Sequence, residues 1–365
     1  MEDKIKELSN ILVNYSIRVQ KNEKVLINSY TNNSIPLIKE LIKDIYKVGG
    51  IPFVRFQDNQ INSLLLKGTT QERMEQIKIH TEEDNRNYDS FIQIRFNENE
   101  FEDKLINPSI KKELAKTVME PNEIRINERK WVLLNYPSII DAFKANTPTE
   151  DFFKFAFDAM TFDYKKLSKD LEPLKKLMEK TDKVKIIGPN TDISFSIKNI
   201  PAIPCCGECN IPDGEIYTAP VKDSVNGRIT YNTASPYNGN VFRNVSLNFK
   251  DGKIIEATCD DDNKALNEIF DTDEGSRYIG EFAIGVNKLI EYPIGDILFD
   301  EKIKGSIHFT PGKCYDNAQN GNNSAIHWDL VLIQREDFGG GEIYFDDLLI
   351  RKDGLFVIDE LKHLN

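Results

Sequence analysis

KVLINSYTNNSIPLIKELIKDIYKVGGIPFVRF, Lys24 to Phe56, reads as a strand, a helix and a second strand. Lys24–Tyr30 is a strand-like run. Leu37, Ile38, Leu41, Ile42 and Ile45 then recur at helical spacing, with Pro36 near the start of the pattern and Gly49-Gly50 at its end. Ile51–Phe56 is a strand again. The three form a β-α-β unit, whose crossover is expected to be right-handed. Outward from it, Ile5, Leu8, Leu12 and Tyr15 mark a preceding helix, and Ser90–Phe96 and Trp131–Asn135 look like further strands. Helical segments follow at Thr149–Met160 and Tyr164–Lys180. This alternation predicts an α/β fold with a parallel sheet covered by helices.

After about residue 183 the texture changes. Strand signals dominate at Lys183–Ile187, Ile193–Ile197, Val241–Phe249 and Gly341–Phe345, interrupted by one helix around Lys264–Phe270. A boundary near 182 therefore divides an α/β scaffold domain, 1–182, from a strand-rich α+β domain, 183–365. A length of 365 residues agrees with two domains.

The chain is 40% hydrophobic and 29% charged, ordinary for a globular protein, with a formal net charge of −12. That charge argues against nucleic acid or anionic membrane as a partner, because phosphate recognition needs clustered Lys and Arg. The N-terminal MEDKIKELSN has no basic segment followed by an apolar one, and no apolar run approaches a bilayer span, so a cytoplasmic location is expected. The glycine fingerprint G-x-G-x-x-G is missing after the first strand, and so is the P-loop pattern; Gly312-Lys313 runs into Cys314. The first domain thus carries no readable chemistry and is assigned a scaffold role.

Cys205, Cys206 and Cys209 crowd together, and the last two form a C-x-x-C. No second C-x-x-C exists to complete a structural zinc site, so these are read as buried or incidental thiols. Asp260-Asp261-Asp262 and Asp271–Gly275 resemble calcium loops only loosely and are read as solvated loops.

The chemistry concentrates in Ser306–Leu332, SIHFTPGKCYDNAQNGNNSAIHWDLVL, which holds His308 and His327, two of the chain's four histidines. On a strand, His327 and Asp329 would project to one face while Ile326, Trp328, Leu330 and Leu332 enter a core. An imidazole and a carboxylate on one face make a metal-ligand arrangement that needs partners. Two upstream segments offer glutamates beside tight turns: Glu215 in NIPDGEIYTAP (Asn210–Pro220) and Glu281 in GEFAIGVN (Gly280–Asn287).

NIPDGEIYTAP, DEGSRYIGEFAIGVN (Asp273–Asn287) and IHFTPGKCYDNAQNGNNSAIHWDLVLIQR (Ile307–Arg335) together resemble the M29, or thermophilic, family of metallo-aminopeptidases. The similarity runs from LEPLKKLMEK (Leu171–Lys180) to DDLLIRKDGLF near the end and is weaker in the first half. It implies a site for two divalent metal ions (Zn, Co, Mn or Mg) held by Glu215, Glu281, His308, His327 and Asp329, with Tyr315 in the site. It also implies short peptides with a free N-terminus as substrates, and a homodimer. Cys206 and Cys209, just before the first motif, depart from the family's expected residues.

The charges fit this reading. Three carboxylates and a bridging hydroxide balance two divalent ions if both imidazoles are neutral, and buried charge must be compensated. Donors without thiolate suit Zn, Co, Mn or Mg-like ions, and the H-E-x-x-H helix of single-zinc proteases is absent. The expected arrangement has Glu281 bridging, Glu215 and His308 on one ion, and His327 and Asp329 on the other. Two ions ~3.5–4 Å apart would activate a shared water, and Tyr315 would donate to the developing oxyanion. Glu208 is a candidate general base. Two rival readings are a catalytically silent metal- or small-molecule-binding relative and an amidase of another substrate class.

Overall fold

A computed structural model describes every residue except Glu100, Phe101, Asp103, Lys104, Leu105 and Asn238. The chain divides into two compact units: Met1–Thr161 with Gly207–Pro212, and Phe162–Cys206 with Asp213–Asn365. The division falls about twenty residues before the boundary read near 182, so the helices at 164–180 lie with the strand-rich unit.

The first unit is built on a five-stranded, all-parallel sheet. Its order is Ile51–Phe56, Lys24–Ser29, Ser90–Phe96, Lys130–Tyr136 and Asn210–Ile211. The helix of the β-α-β unit is Ile35–Lys47, and it buries Leu37, Ile38, Leu41 and Ile45, the stripe its spacing predicts. Four further helices lack a buried apolar stripe like that of Ile35–Lys47. In Gln71–Asn87 only Met74 and Asn85 are buried. Caps mark where they start: Asp58 accepts from Ile61 N, Thr70 from Arg73 N, Asn107 from Ser109 N and Ser138 from Asp141 N. The others are Pro108–Glu128 and Ile139–Lys144.

The second unit contains an eight-stranded and a five-stranded sheet, both antiparallel. The five-stranded one runs Leu330–Ile333, Ser306–Pro311, Ile279–Gly285, Glu215–Thr218, Ile203–Cys205. Phe282 and Phe309 on one of its faces meet Phe195 of the larger sheet, each with ring centroids 5.0 Å away. That face is the core, which leaves the alternate residues of the same strands for the other face.

Two segments read as continuous are broken. Val241–Phe249 is two strands, Asn240–Phe242 and Ser246–Lys250, separated where Asn244 takes φ 50°. Residues 164–180 form two helices, Tyr164–Asp170 and Glu172–Lys180, meeting at Leu171. Pro173 enforces the break, since it has no N–H to donate and its ring opposes the carbonyl one turn back. No helix among the described residues is long and apolar enough to cross a membrane.

Candidate metal centre

The register of the small sheet decides which side chains converge. Ala283 pairs with both His308 and Tyr217, Gly285 pairs with Glu215, and Glu281 pairs with Thr310. Residues at paired positions point to the same side, so Glu215, Glu281 and His308 share the face opposite the phenylalanine core. A bulge at Gly280, between Ile279 and Glu281, sets the aim of Glu281. A side chain at 280 would place its Cβ 2.4 Å from the Lys313 carbonyl oxygen, so only glycine allows this approach.

His327 and Asp329 arrive from a segment that precedes the edge strand, which begins only at Leu330. Their alternation is nevertheless strand-like, with Ile326, Trp328 and Leu330 buried between them. His327 forms an isolated bridge with Gly312. Its Nδ1 lies 2.8 Å from the Lys313 carbonyl oxygen. A carbonyl can only accept, so Nδ1 carries a proton and Nε2 is the nitrogen turned to the site.

The loop from 312 to 326 is tied down by side chains from all three sequence motifs. Asn322 donates to the carbonyls of Gly275 and Gly312, and Asn320 donates to those of Pro220 and Ile279. Asp273 accepts from Gly275 N, Ser276 N and Ala325 N. In the same way Asp262 caps the Asn263–Phe270 helix. These acids, which look superficially like calcium loops in the sequence, serve the backbone.

All five expected ligand residues come together. Glu281 Oε1 is 3.3 Å from His308 Nε2, and Glu281 Oε2 is 3.2 Å from His327 Nε2. His308 Nδ1 lies 3.5 Å from Glu215 Oε2, and His327 Nε2 lies 3.4 Å from Asp329 Oδ1. The donor atoms fall into two ligand-sized groups that share Glu281: Glu215, Glu281 and His308, and Glu281, His327 and Asp329. Tyr315 stands at the edge, 47% exposed, with its ring 5.0 Å from that of His327 and 5.2 Å from that of Tyr217.

Three neighbours were not legible as site residues. Lys302 is fully buried, with Nζ 2.5 Å from Glu215 Oε1, 2.7 Å from Glu301 Oε1 and 3.5 Å from Asp213 Oδ1. Glu301 also groups with His308 and Asp329. Thr310 donates to Asp329 Oδ1 at 2.7 Å. In the sequence, Glu301 and Lys302 sit in a charged turn, and Asp213 looks like a turn former. The cysteine triplet splits: Cys206 is buried in the second unit and Cys209 is exposed in the first. Cys205 instead groups with Asp213 and Glu215, and burial followed by those acids holds its thiol well above the usual range, protonated. Glu208 lies in the first unit, where its carboxylate pairs with Arg18 at 3.0 Å.

The electrostatics of the metal-free site follow from packed opposite charges. Burial works to neutralise Lys302, but Glu215, Glu301 and Asp213 outweigh it and hold the ammonium well above its ordinary range. Burial likewise disfavours a charged His308; Glu215 and Glu281 overcome it and push the imidazole up to about 10. His327 is raised for the same reason, chiefly by Asp329 against its own burial. Burial would raise Asp329, yet His327 outweighs it and keeps this carboxyl below the ordinary range. Glu281 is lowered by hydrogen bonds from both histidines acting against burial. In Glu215 and Glu301 burial wins, and Glu301 reaches about 8.

A divalent cation fits these residues on one further observation. Glu215 Oε2 and His308 Nδ1 are buried and have no hydrogen-bond partner. Both belong to the first donor group, facing each other at 3.5 Å, and buried polar atoms left without a hydrogen bond are costly unless a ligand satisfies them. The donors are oxygen and imidazole nitrogen, the set preferred by Zn, Mn, Co and Mg rather than by thiophilic ions.

Fold and donor set together place a candidate metal centre on an antiparallel sheet. The chain's fold matches that of wild-type AmpT from Thermus thermophilus, with a TM-score of 0.80 at 16% identity over 98% of this chain and 100% of that one. The thermophilic metalloprotease (M29) family profile matches residues 1–341, and the chain belongs to that family. Among its relatives, Aminopeptidase 2 of Geobacillus stearothermophilus is 32% identical over 166 residues, 40% of this chain and 37% of the relative. Aminopeptidase AmpS of Bacillus subtilis (strain 168) is 34% identical over 129 residues, 33% of this chain and 30% of the relative. The matched stretches thus span about a third of the length of these two relatives.

Proposed function

We propose that this chain is a metal-dependent aminopeptidase that hydrolyses the N-terminal peptide bond of short peptides, using two divalent ions drawn from Zn, Co, Mn or Mg. The observation that carries the reading is the pair of donor groups sharing Glu281, in a member of a metalloprotease family. Glu215, Glu281 and His308 would hold one ion, and Glu281, His327 and Asp329 the other. When bound, such a pair lowers the pKa of a water and polarises a scissile carbonyl.

The remaining roles belong to the protein. Lys302 occupies Glu215 Oε1, which leaves Oε2 aimed at His308 and the site. The Lys313 carbonyl fixes the His327 tautomer. Glu301, grouped with His308 and Asp329, would take the proton of the attacking water only once it has lost its own, which burial holds on up to about pH 8. Tyr315 would donate its phenol to the carbonyl oxygen as charge develops there. In the metal-free site burial of that hydroxyl, reinforced by Glu281 and Asp329, keeps it protonated and able to donate. The substrate's α-amine would be received beside a carboxylate of the cluster, which confines cleavage to the first residue.

Self-association into a homodimer is part of the proposal. It is supported by exposed apolar residues on the edge strand Ile51–Phe56 and the helix after it, Phe53, Phe56, Ile61 and Leu64 among them. Light scattering at micromolar concentration tests it.

The activity is tested by leucine release from a short peptide. Chelator-stripped protein is assayed with Co, Zn or Mn added back, beside the N-acetylated peptide. Metal-restored cleavage of the free peptide alone is expected. Cleavage of the blocked peptide would reassign the protein to another amidase class, and cleavage of neither would favour a silent metal-binding relative.

A further inference from the structure

A cavity of about 220 Å³ opens beside His327 and Asp329, within the second unit. Pro236, Tyr237, Ile297, Trp328 and Val331 form most of its apolar wall. It is smaller than the ~300–1,000 Å³ pockets that take drug-sized ligands, a size suited to one side chain rather than to a cofactor.

The wall is fixed. Trp328 packs against Tyr237, Phe242 and Phe270, with ring centroids 4.9, 5.4 and 5.8 Å away. Two of its polar members, Thr233 and Asp300, are engaged with backbone. Thr233 Oγ1 donates to the Val331 carbonyl at 2.9 Å, and the Asp300 carboxylate accepts from Ile294 N at 2.7 Å and Gly295 N at 3.0 Å. Among the described residues no lysine or arginine lines the cavity, while Asp300 and Asp329 do. An acidic guest would meet the carboxylates of Asp300 and Asp329 inside the cavity. A guest that needs hydrogen bonds would compete with backbone groups already holding the wall's oxygens.

Resting on the aminopeptidase reading, we infer that this cavity receives the side chain of the substrate's N-terminal residue and selects neutral apolar side chains of leucine or methionine size. Its contact with His327 and Asp329 puts the guest's α-carbon next to the cluster, where the bond to be cut must lie. Ala234 and Ile297 are exposed residues of the rim and control its width.

The test uses the metal-loaded full chain and the peptides Xaa-Gly-Gly, with Xaa as Ala, Leu, Met, Phe, Lys or Glu. Wild type should favour Leu and Met over Ala by at least about tenfold in kcat/KM and leave Glu uncut, since each extra methylene in an apolar pocket counts for roughly 10- to 200-fold. Ala234→Phe should lower leucyl cleavage by about tenfold while alanyl cleavage stays within about threefold, the selective loss a filled pocket produces. Ile297→Ala, read in parallel in case the larger ring disturbs folding, should raise Phe relative to Leu. Equal cleavage of all six peptides, a preference for Lys, or equal losses on Ala and Leu in both variants would overturn the assignment while leaving the aminopeptidase reading intact. Cleavage of no peptide at all would remove both.

Discussion

Replacing Lys302 by methionine removes a buried cation and leaves its length. In the native protein the ammonium is enclosed by Glu215, Glu301 and Asp213 at 2.5, 2.7 and 3.5 Å. All three acids are buried, so water cannot take the place of the lost charge. Breaking a buried ion pair from one side costs about 3–5 kcal/mol, because the partner stays behind uncompensated. The unit that contains Lys302 has about 200 residues, so its unfolding entropy is about 0.4 kcal/mol/K and the cost converts to a fall in Tm of ~7–12 °C. The assay is calorimetric or circular-dichroism melting of chelator-treated protein at pH 7. The double variant Lys302→Met with Asp213→Asn should recover part of the loss, since it removes one of the stranded acids. A Lys302→Met protein that melts within about 2 °C of wild type would mean less than about 1 kcal/mol, and the claim that Lys302 carries and anchors charge here would be wrong.

Glu281→Gln removes the carboxylate that both donor groups share, so isothermal titration should show weakened binding of both equivalents of Co or Zn, with peptide cleavage lost; retained binding of two ions would exclude the shared role. Tyr315→Phe should lower kcat by about 10²–10³-fold with KM little changed, as for loss of one oxyanion donor, and an unchanged kcat would remove Tyr315 from the chemistry. Metal-free protein should lose stability as pH rises. Glu301 moves from an ordinary 4.5 to about 8 on folding, and His308 from 6.5 to about 10. The folded state therefore binds more protons across that span, and both contributions fade between about pH 4.5 and 10. Thermal melts in chelator that stay flat or rise from pH 7 to 10 would contradict this sign.

Residues with a strong local pattern were readable without coordinates. The Leu37–Ile45 stripe and its bounding strands sufficed for the parallel unit, because helix and strand periods differ and the core takes one face of each. The five residues proposed as ligands stand out because they lie in three contiguous motifs, and glycines and asparagines in those motifs hold the loops. Lys302 and Glu301 were not, because Asp300-Glu301-Lys302 has the composition of a solvated turn. Only the pairing of distant strands buries it against Glu215. The break at Leu171 needed more weight on Pro173. The Gly207–Pro212 hexapeptide could not be placed from its own residues, since Asn210–Ile211 joins the first unit's sheet by pairing with a strand more than seventy residues earlier.

The full set of buried charges refines the balance drawn from the sequence. Five carboxylates converge, Asp213, Glu215, Glu281, Glu301 and Asp329, and Lys302 is the lysine buried among them. Glu301, pushed up to about 8, is neutral at pH 7, and Lys302 offsets Asp213. What remains is Glu215, Glu281 and Asp329, the three assigned as ligands. Without metal, protons on His308 and His327 meet two of those three charges, and the carboxylates around them are why both imidazoles are raised so far. A metal ion needs those same nitrogens deprotonated. Protons and metal ions therefore compete for one charge-balancing role, and the affinity of the centre for divalent ions must rise with pH through neutrality, with proton release on binding as its calorimetric signature.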